Sequence, residues 1–205
     1  MVKDGDAAVI HRREDRRNAI LDAAEELFLD QGFDRVSLAA IVKRSGGSLA
    51  TVYDMFGNKQ GLLRAMVVRL VDRDLDTNWS TELDAAPPSA QLRELAYRIR
   101  GHMCQPKVVA LNRIVIQESL RDPAFGRAFH DQVYGGRGEE LIECFWQWTQ
   151  QGRANFDDPV AAVDLYLSIV IGDSQQEALL GVLPNVDRAA IDWRLAPFLT
   201  YFKVA

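Results

Sequence analysis

The chain has little of what most enzymes and secreted proteins need. Only two of its 205 residues are cysteine, Cys104 and Cys144. Two unclustered thiols cannot frame a disulfide-stapled fold, and they suit a reducing compartment in which thiols pack into a core. Histidine is as scarce. His11, His102 and His130 stand apart, without a cysteine or carboxylate at ligand spacing, so no metal site is expected. No G-x-S-x-G, G-x-x-x-x-G-K-[ST] or H-E-x-x-H motif occurs, nor a Glu-x-x-His pair that could hold a di-iron site in a bundle. No catalytic residue and no cofactor are therefore expected, and the chain is not read as an enzyme. No apolar run reaches the ~18 residues of a membrane span. The stretch MVKDGDAAVIHRREDRR has no apolar segment of a signal peptide. A cytoplasmic protein with no membrane partner is expected. A net charge of −5 excludes a protein that coats nucleic acid through overall positive charge.

Strand-like alternation is missing too, and helical periodicity fills the chain. With 48% hydrophobic residues the chain can bury a large core. Residues 1–14 read as a flexible arm with an Arg12-Arg13 pair, either a solvated tail or a contact to phosphate or minor groove. From about residue 15 to 31, Ile20, Ala23, Ala24, Leu27 and Phe28 recur at helical spacing, and Gly32 supplies a stop. A long helix is expected from Asn58 to about Trp79, before the break Asp84-Ala85-Ala86-Pro87-Pro88. Beyond it the spacing predicts helices over 89–102 and 106–120, the second apolar nearly all round and therefore central and buried. Asp122-Pro123 opens a further helix, Gly135-Gly136-Arg137-Gly138 kinks or breaks it, and the stripe resumes over 141–149 until Gly152. One helix is expected over 159–180 and a last one over 188–203, bent at Pro197.

The most informative stretch is 37–59, SLAAIVKRSGGSLATVYDMFGNK. Ser37 can cap a short apolar helix that Ser45-Gly46-Gly47 ends, and Ser48 can cap a second. Two short helices joined by a glycine turn form a helix-turn-helix, which puts its second helix into a major groove. That second helix opens with Ser48, Leu49, Ala50 and Thr51, mostly small or polar residues that allow close approach to phosphates and base edges. Val52 and Phe56 can anchor its inner side, and the Tyr53 hydroxyl can reach a phosphate. Asn58 caps the next helix. Lys59 in its first turn opposes the helix dipole, which makes sense if a phosphate lies nearby.

On these features residues 17–63 resemble the DNA-binding domain of the TetR (tetracycline-repressor) family. The matching features are the amphipathic first helix ending at Gly32-Phe33, then Ser37, Gly46, Thr51, Tyr53, Phe56, Lys59 and Leu62-Leu63. Two positions depart from the family's pattern. Gly47 replaces an apolar residue, and Asp54 puts a carboxylate, which phosphates repel, on the reading helix. The resemblance implies an all-α protein with an N-terminal three-helix DNA-binding domain (15–63) and a helical ligand-binding and dimerisation domain (64–205). It implies a DNA-binding transcriptional regulator, a repressor released from a palindromic operator by a small molecule. Expected DNA contacts are Ser37, Ser48, Leu49, Ala50, Thr51, Tyr53, Asn58 and Lys59. Expected partners are double-stranded operator DNA, a largely apolar small-molecule effector, and a second copy bound through the last two helices.

In the body, polar residues on apolar helices are either helix–helix hydrogen bonds or anchors in a pocket with aromatic walls. On the second reading Met103, Gln117, Glu118, Phe145, Trp148, Asp173 and Gln176 hold the effector. A different class of function, a helical interaction or adaptor protein with a vestigial head, draws its support from Asp54 and from a head with more acids than bases.

Overall fold

The computed structural model describes residues 4–74, 86–133, 138–182 and 184–205. Eleven helices and no strand occur among the described residues. The chain divides into two compact units, Met1–Leu70 and Val71–Ala205, each with its own buried side chains.

The first unit holds α1 (Asp4–Gln31), α2 (Leu38–Ser45), α3 (Leu49–Phe56) and most of α4 (Lys59–Asp74). α1 begins at Asp4, so residues 4–14, expected as an arm, are helical and continuous with the first helix. The physical reason is local. No proline occurs before Pro87, and the Ala, Arg and Glu residues in this stretch are good helix formers. α1 ends where Gly32 adopts φ +83°, its N–H donating to the Phe28 carbonyl at 3.1 Å. Ile20, Leu21, Ala24 and Phe28 are buried, as are Ile41, Val52, Leu62, Leu63 and Met66. Arg69 of α4 reaches back to α1, pairing with Asp22 at 2.7 Å and donating to the Asn18 carbonyl at 3.3 Å.

The second unit contains α5 (Pro88–Met103), α6 (Pro106–Arg121), α7 (Pro123–Val133), α8 (Glu139–Gln150), α9 (Pro159–Ile171), α10 (Ser174–Leu179) and α11 (Arg188–Tyr201). Proline opens α5, α6, α7 and α9, where its fixed φ suits a helix and its missing N–H costs nothing. Asp122 caps α7, its Oδ1 accepting from Ala124 N at 3.0 Å and Phe125 N at 3.2 Å. Asp158 caps α9 in the same manner.

The core of this unit lies among α5, α8, α9 and α11. At its centre Phe145 stacks on Phe156, with ring centroids 4.0 Å apart and planes 9° from parallel. Tyr166, Trp148 and Phe198 close around them. The Tyr166 hydroxyl donates to the Leu92 carbonyl at 2.6 Å. Each such aromatic side chain contributes roughly 1.5–3 kcal/mol by leaving water.

Three expectations about the body are corrected. The central helix is α9, not 106–120: α9 packs on α5, α8 and α11, whereas α6 packs on α5, α7 and α10. Ile116 and Leu120 of α6 are exposed. α6 carries Lys107, Arg113, Glu118 and Arg121, whereas Asp164 is the one charged residue of α9, so α6 keeps a polar side in water and α9 does not. The expected single helix over 159–180 is two. Gly172 takes φ +45° and ψ −141°, ending α9, and α10 starts two residues later. The buried Arg100 guanidinium finishes that end, donating to the carbonyls of Val170 (3.0 Å) and Asn185 (3.1 Å). A cation at a helix C-terminus meets the negative end of the dipole. Finally, the last helix was expected to face a second subunit through the stripe Ile191, Leu195, Phe198, Leu199 and Phe202; the first four are buried within the protomer and Phe202 is partly buried against the same core.

The break expected at 84–88 falls partly on residues 75–85, which lie outside the described residues together with Trp79. Pro88 starts α5. The glycine-rich break at 135–138 likewise falls mostly outside them; α7 ends before it at Val133 and α8 begins after it at Glu139.

Candidate nucleic-acid interface

Serine caps both helices of the helix-turn-helix. Ser37 Oγ accepts from Ala40 N at 3.1 Å, and Ser48 Oγ accepts from Thr51 N at 3.1 Å. Each cap is worth about 1 kcal/mol. The turn between them needs two left-handed residues: Gly46 sits at φ +76° and Gly47 at φ +97°. Gly47, a departure from the family's pattern, is thus fixed by backbone conformation. α3 ends at Gly57, φ +74°, with its N–H on the Tyr53 carbonyl at 2.9 Å.

α3 buries Val52 and Phe56 and exposes Leu49, Ala50, Tyr53 and Asp54, which lie on one helical face. Tyr53 is 54% exposed, with its ring unused by the core. Thr51 is only half exposed, and its hydroxyl lies 3.0 Å from Ser48 Oγ. Asn58 Oδ1 accepts from Gly61 N at 2.8 Å and so caps α4. Lys59 lies with its Nζ 4.3 Å from the centre of the Phe33 ring and 3.5 Å from the Asp34 carbonyl oxygen. All eight residues expected to meet DNA therefore lie within the α2–α3–α4 segment, and five of them are exposed at the α2 start or along α3 without burial: Ser37, Ser48, Leu49, Ala50 and Tyr53.

Sequence reasoning missed the use of the arginines. Arg44 donates from Nε and Nη2 to the two carboxylate oxygens of Glu26. Arg16 Nη1 donates to the Ser45 carbonyl at 3.3 Å, directly over the glycine turn. Arg13 pairs with Asp54 at 3.5 Å, and the Arg17 guanidinium lies 5.9 Å from the centre of the Phe56 ring. The signal in the sequence was the adjacent cations Arg12-Arg13, Arg16-Arg17 and Lys43-Arg44, and such pairs do not reveal their partners.

In the body, the seven residues expected to hold an effector are dispersed. Phe145 and Trp148 fill the aromatic core, and Met103 packs against it. Glu118 is buried and pairs with Arg121 at 3.0 Å, while its neighbour Gln117 is exposed. Asp173 and Gln176 are exposed, with Asp173 3.6 Å from Arg194. The described residues contain no group of His, Cys, Asp and Glu that could hold a metal ion, and no helix long and apolar enough to cross a membrane.

Comparison with known proteins gives a consistent result for both units. Residues 20–66 match the family description "Bacterial regulatory proteins, tetR family". Residues 90–202 match "AefR-like transcriptional repressor, C-terminal domain". The chain is 44% identical over 57 residues to the HTH-type transcriptional repressor ComR of Escherichia coli (strain K12). That match covers 28% of this chain and spans only 27% of the relative's length. A crystal structure of a TetR-family regulator from Mesorhizobium loti MAFF303099 superposes with a TM-score of 0.79 at 24% identity, covering 93% of this chain and 98% of the other. The flavonoid-responsive regulator FrrA superposes with a TM-score of 0.70 at 30% identity, over 91% of this chain and 94% of FrrA. With both units matched, and the second match covering more than half of its length, the chain belongs to the TetR family and is a DNA-binding transcriptional regulator, not an enzyme.

Proposed function

We propose that the protein is a homodimeric repressor whose two α3 helices read the half-sites of a near-palindromic operator, and that a small effector releases it. The observation that carries the reading is the exposed face of α3, capped at both ends and backed by buried Val52 and Phe56. In this reading Leu49 and Ala50 meet base edges. Tyr53 contacts a phosphate, and Ser37, Ser48, Asn58 and Lys59 lie along the backbone on either side. Thr51 keeps its hydroxyl on Ser48 and presents the rest of its side chain. Lys59 reaches a phosphate by leaning away from the Phe33 ring, a side-chain rotation that gives up a cation–π contact of about 1 kcal/mol. DNA reading is assigned to 15–63, and effector binding and dimerisation to 64–205.

One short reading helix covers too few base pairs to find a site in a genome, so two heads on a two-fold axis are required. The side of the last helices left over after folding supplies the dimer face. On α9 it carries Ala161, Leu165 and Ser168; on α11 it carries Ala189, Trp193, Ala196 and Thr200, all exposed. Small residues alternate there with Leu165 and the 78%-exposed Trp193, a composition that suits helix-on-helix contact.

For the effector, the Ser174 hydroxyl is buried without a hydrogen-bond partner among the described residues, a cost that a polar group on a ligand would remove. The flavonoid-responsive FrrA suggests planar aromatic compounds with hydroxyl groups as the first class to test.

The test is a selection on random DNA with the parent and with Ala50→Arg, followed by addition of flavonoids to the complex. Distinct motifs for the two proteins, and release of the parent by a compound, are the expected results. Identical motifs would remove α3 as the reading element.

A further inference from the structure

The N-terminal half of α1 lies against the reading unit through three arginines. Arg13, Arg16 and Arg17 are three and four residues apart and share one face of the helix. Arg16 donates to the Ser45 carbonyl and lies over the glycine turn: a Cβ on Gly46 would stand 3.3 Å from its Nη1, and one on Gly47 3.6 Å from its Cδ. The turn is therefore glycine on both counts, left-handed backbone and close approach of Arg16. Arg17 lies over Phe56 at the far end of α3. These two contacts hold α1 against both ends of α3. Arg13, one turn before Arg16 and Arg17, then reaches Asp54 at the rim of the exposed face that also carries Ala50 and Tyr53.

The pair itself is weak. Its side chains are 68% and 72% exposed, and exposed pairs of this kind contribute about 0–1 kcal/mol. Asp54 therefore holds the Arg13 guanidinium in place loosely, where a stronger acceptor can replace it. A DNA phosphate is such an acceptor: it takes two parallel N–H bonds from a guanidinium, and these are charge-assisted. The pair also answers the repulsion expected of a carboxylate on a reading helix, because Arg13 neutralises it where the duplex would lie. Glu14 lines the same recess between α1 and α3, with Arg13, Arg17 and Met55, and does not replace Asp54 as the partner.

We propose that Arg13 is a phosphate-contacting residue, so that the N-terminal half of α1 forms a third DNA-facing element beside α2 and α3. This rests on the reading of α3 as the groove-facing helix. Phosphate contacts set register and affinity without reading sequence, so Arg13 acts equally on all DNA sites.

The test is fluorescence anisotropy of the full-length protein on its selected DNA across a salt series, for the parent, Arg13→Ala, Arg13→Lys, Asp54→Asn and the double variant Arg13→Ala/Asp54→Asn. Arg13→Ala is expected to weaken binding about 3- to 10-fold and to reduce the slope of log K against log salt by about 0.9 per protomer. The same change is expected in the Asp54→Asn background, and for specific and random DNA alike, while Arg13→Lys keeps the slope. A slope unchanged by Arg13→Ala overturns the proposal. So does a loss confined to the protein that retains Asp54, since Arg13 would then only neutralise that carboxylate. Thermal melting of the variants separates these outcomes from unfolding, and Arg13→Gln, which removes the charge but keeps a polar side chain, gives the answer if Arg13→Ala is unstable. A changed motif for Ala50→Arg beside an inert Arg13 would overturn this inference and leave the reading of α3 standing.

Discussion

Gly61 leaves almost no room between the reading helix and the helix that carries it. A Cβ built on Gly61 would stand 1.9 Å from the Phe56 carbonyl oxygen and 3.1 Å from its carbonyl carbon. Those are backbone atoms, so no rotamer change relieves the clash. Gly61→Ala must push the end of α3 away from the start of α4, and its cost belongs at the upper end of overpacking, about 3 kcal/mol. Phe56 anchors α3, so DNA affinity falls with it. Gly101 is the contrasting case. It lies inside α5 with nothing within 4 Å of its missing Cβ, and Gly101→Ala should stabilise by about 0.5–1 kcal/mol through helix propensity. At about 2–4 °C per kcal/mol for a chain of this length, thermal melting resolves both changes. A Gly61→Ala protein melting with the parent would refute the close approach of α3 to α4.

At the scale of elements, a polar cluster ties α5 to α11. Asp192 Oδ1 accepts from Arg93 Nη1 at 2.6 Å and from the Tyr97 hydroxyl at 2.5 Å. Arg188 lies 4.2 Å from the centre of the Tyr97 ring and pairs with Glu94 at 3.3 Å. Burial, reinforced by the hydrogen bond to Asp192, pushes the Tyr97 hydroxyl up to about 12. The Tyr97 hydrogen bond, together with Arg93, holds the Asp192 carboxyl below its ordinary value. The signs differ. Tyr97 contributes stability that is fully present below its unfolded value near 10 and is lost as pH rises towards 12. Asp192 contributes stability that is present above its unfolded value near 4 and is lost as pH falls below it. Asp192 is partly exposed, so its share is small. The expected result is a melting temperature that declines on the alkaline side above about pH 10, and Tyr97→Phe should weaken that decline. Equal alkaline slopes for parent and variant would show that this hydroxyl does not couple to folding.

For the whole molecule, the two sides of α11 make opposite predictions. Phe198 lies within the protomer's core, packed against Phe145, Phe156 and Tyr166. Phe198→Glu should bury an unpaired carboxylate and unfold the subunit, costing about 3–5 kcal/mol or more. Leu165 and Trp193 lie on the outer side of α9 and α11, 46% and 78% exposed. Leu165→Glu/Trp193→Glu should leave a helical, cooperatively melting protein that sediments as a single 23.0 kDa subunit and binds its operator poorly. The parent should sediment at twice that mass at micromolar concentration. A parent of single-subunit mass, or a double variant that still dimerises, would move the two-fold axis away from this face.

The sequence by itself determined the elements and the reading unit. Helix starts at Ser37, Ser48, Asp122 and Asp158 and stops at Gly32, Gly46 and Gly152 were legible because capping and left-handed turns depend on residues a few positions apart. The exposed face of α3 was legible for the same reason, since Val52 and Phe56 fix its inner side. What only the tertiary structure decided depends on contacts distant in sequence. α6 and α9 both contain long apolar stretches, and packing placed α9 among α5, α8 and α11. The stripe of α11 that looked like a subunit interface closed the core instead, because Phe145 and Phe156 come to meet it. Gly172, one of many glycines in the chain, became the break between α9 and α10 only where Arg100, 70 residues distant from Val170, could satisfy the freed carbonyl. Arg13 and Asp54 were visible as charges, but their pairing depends on a helix that starts at Asp4 and is fixed by Arg16 over two glycines. Local signals are set by backbone geometry within a turn or two, whereas partner choice is set by which surfaces fit once the helices pack.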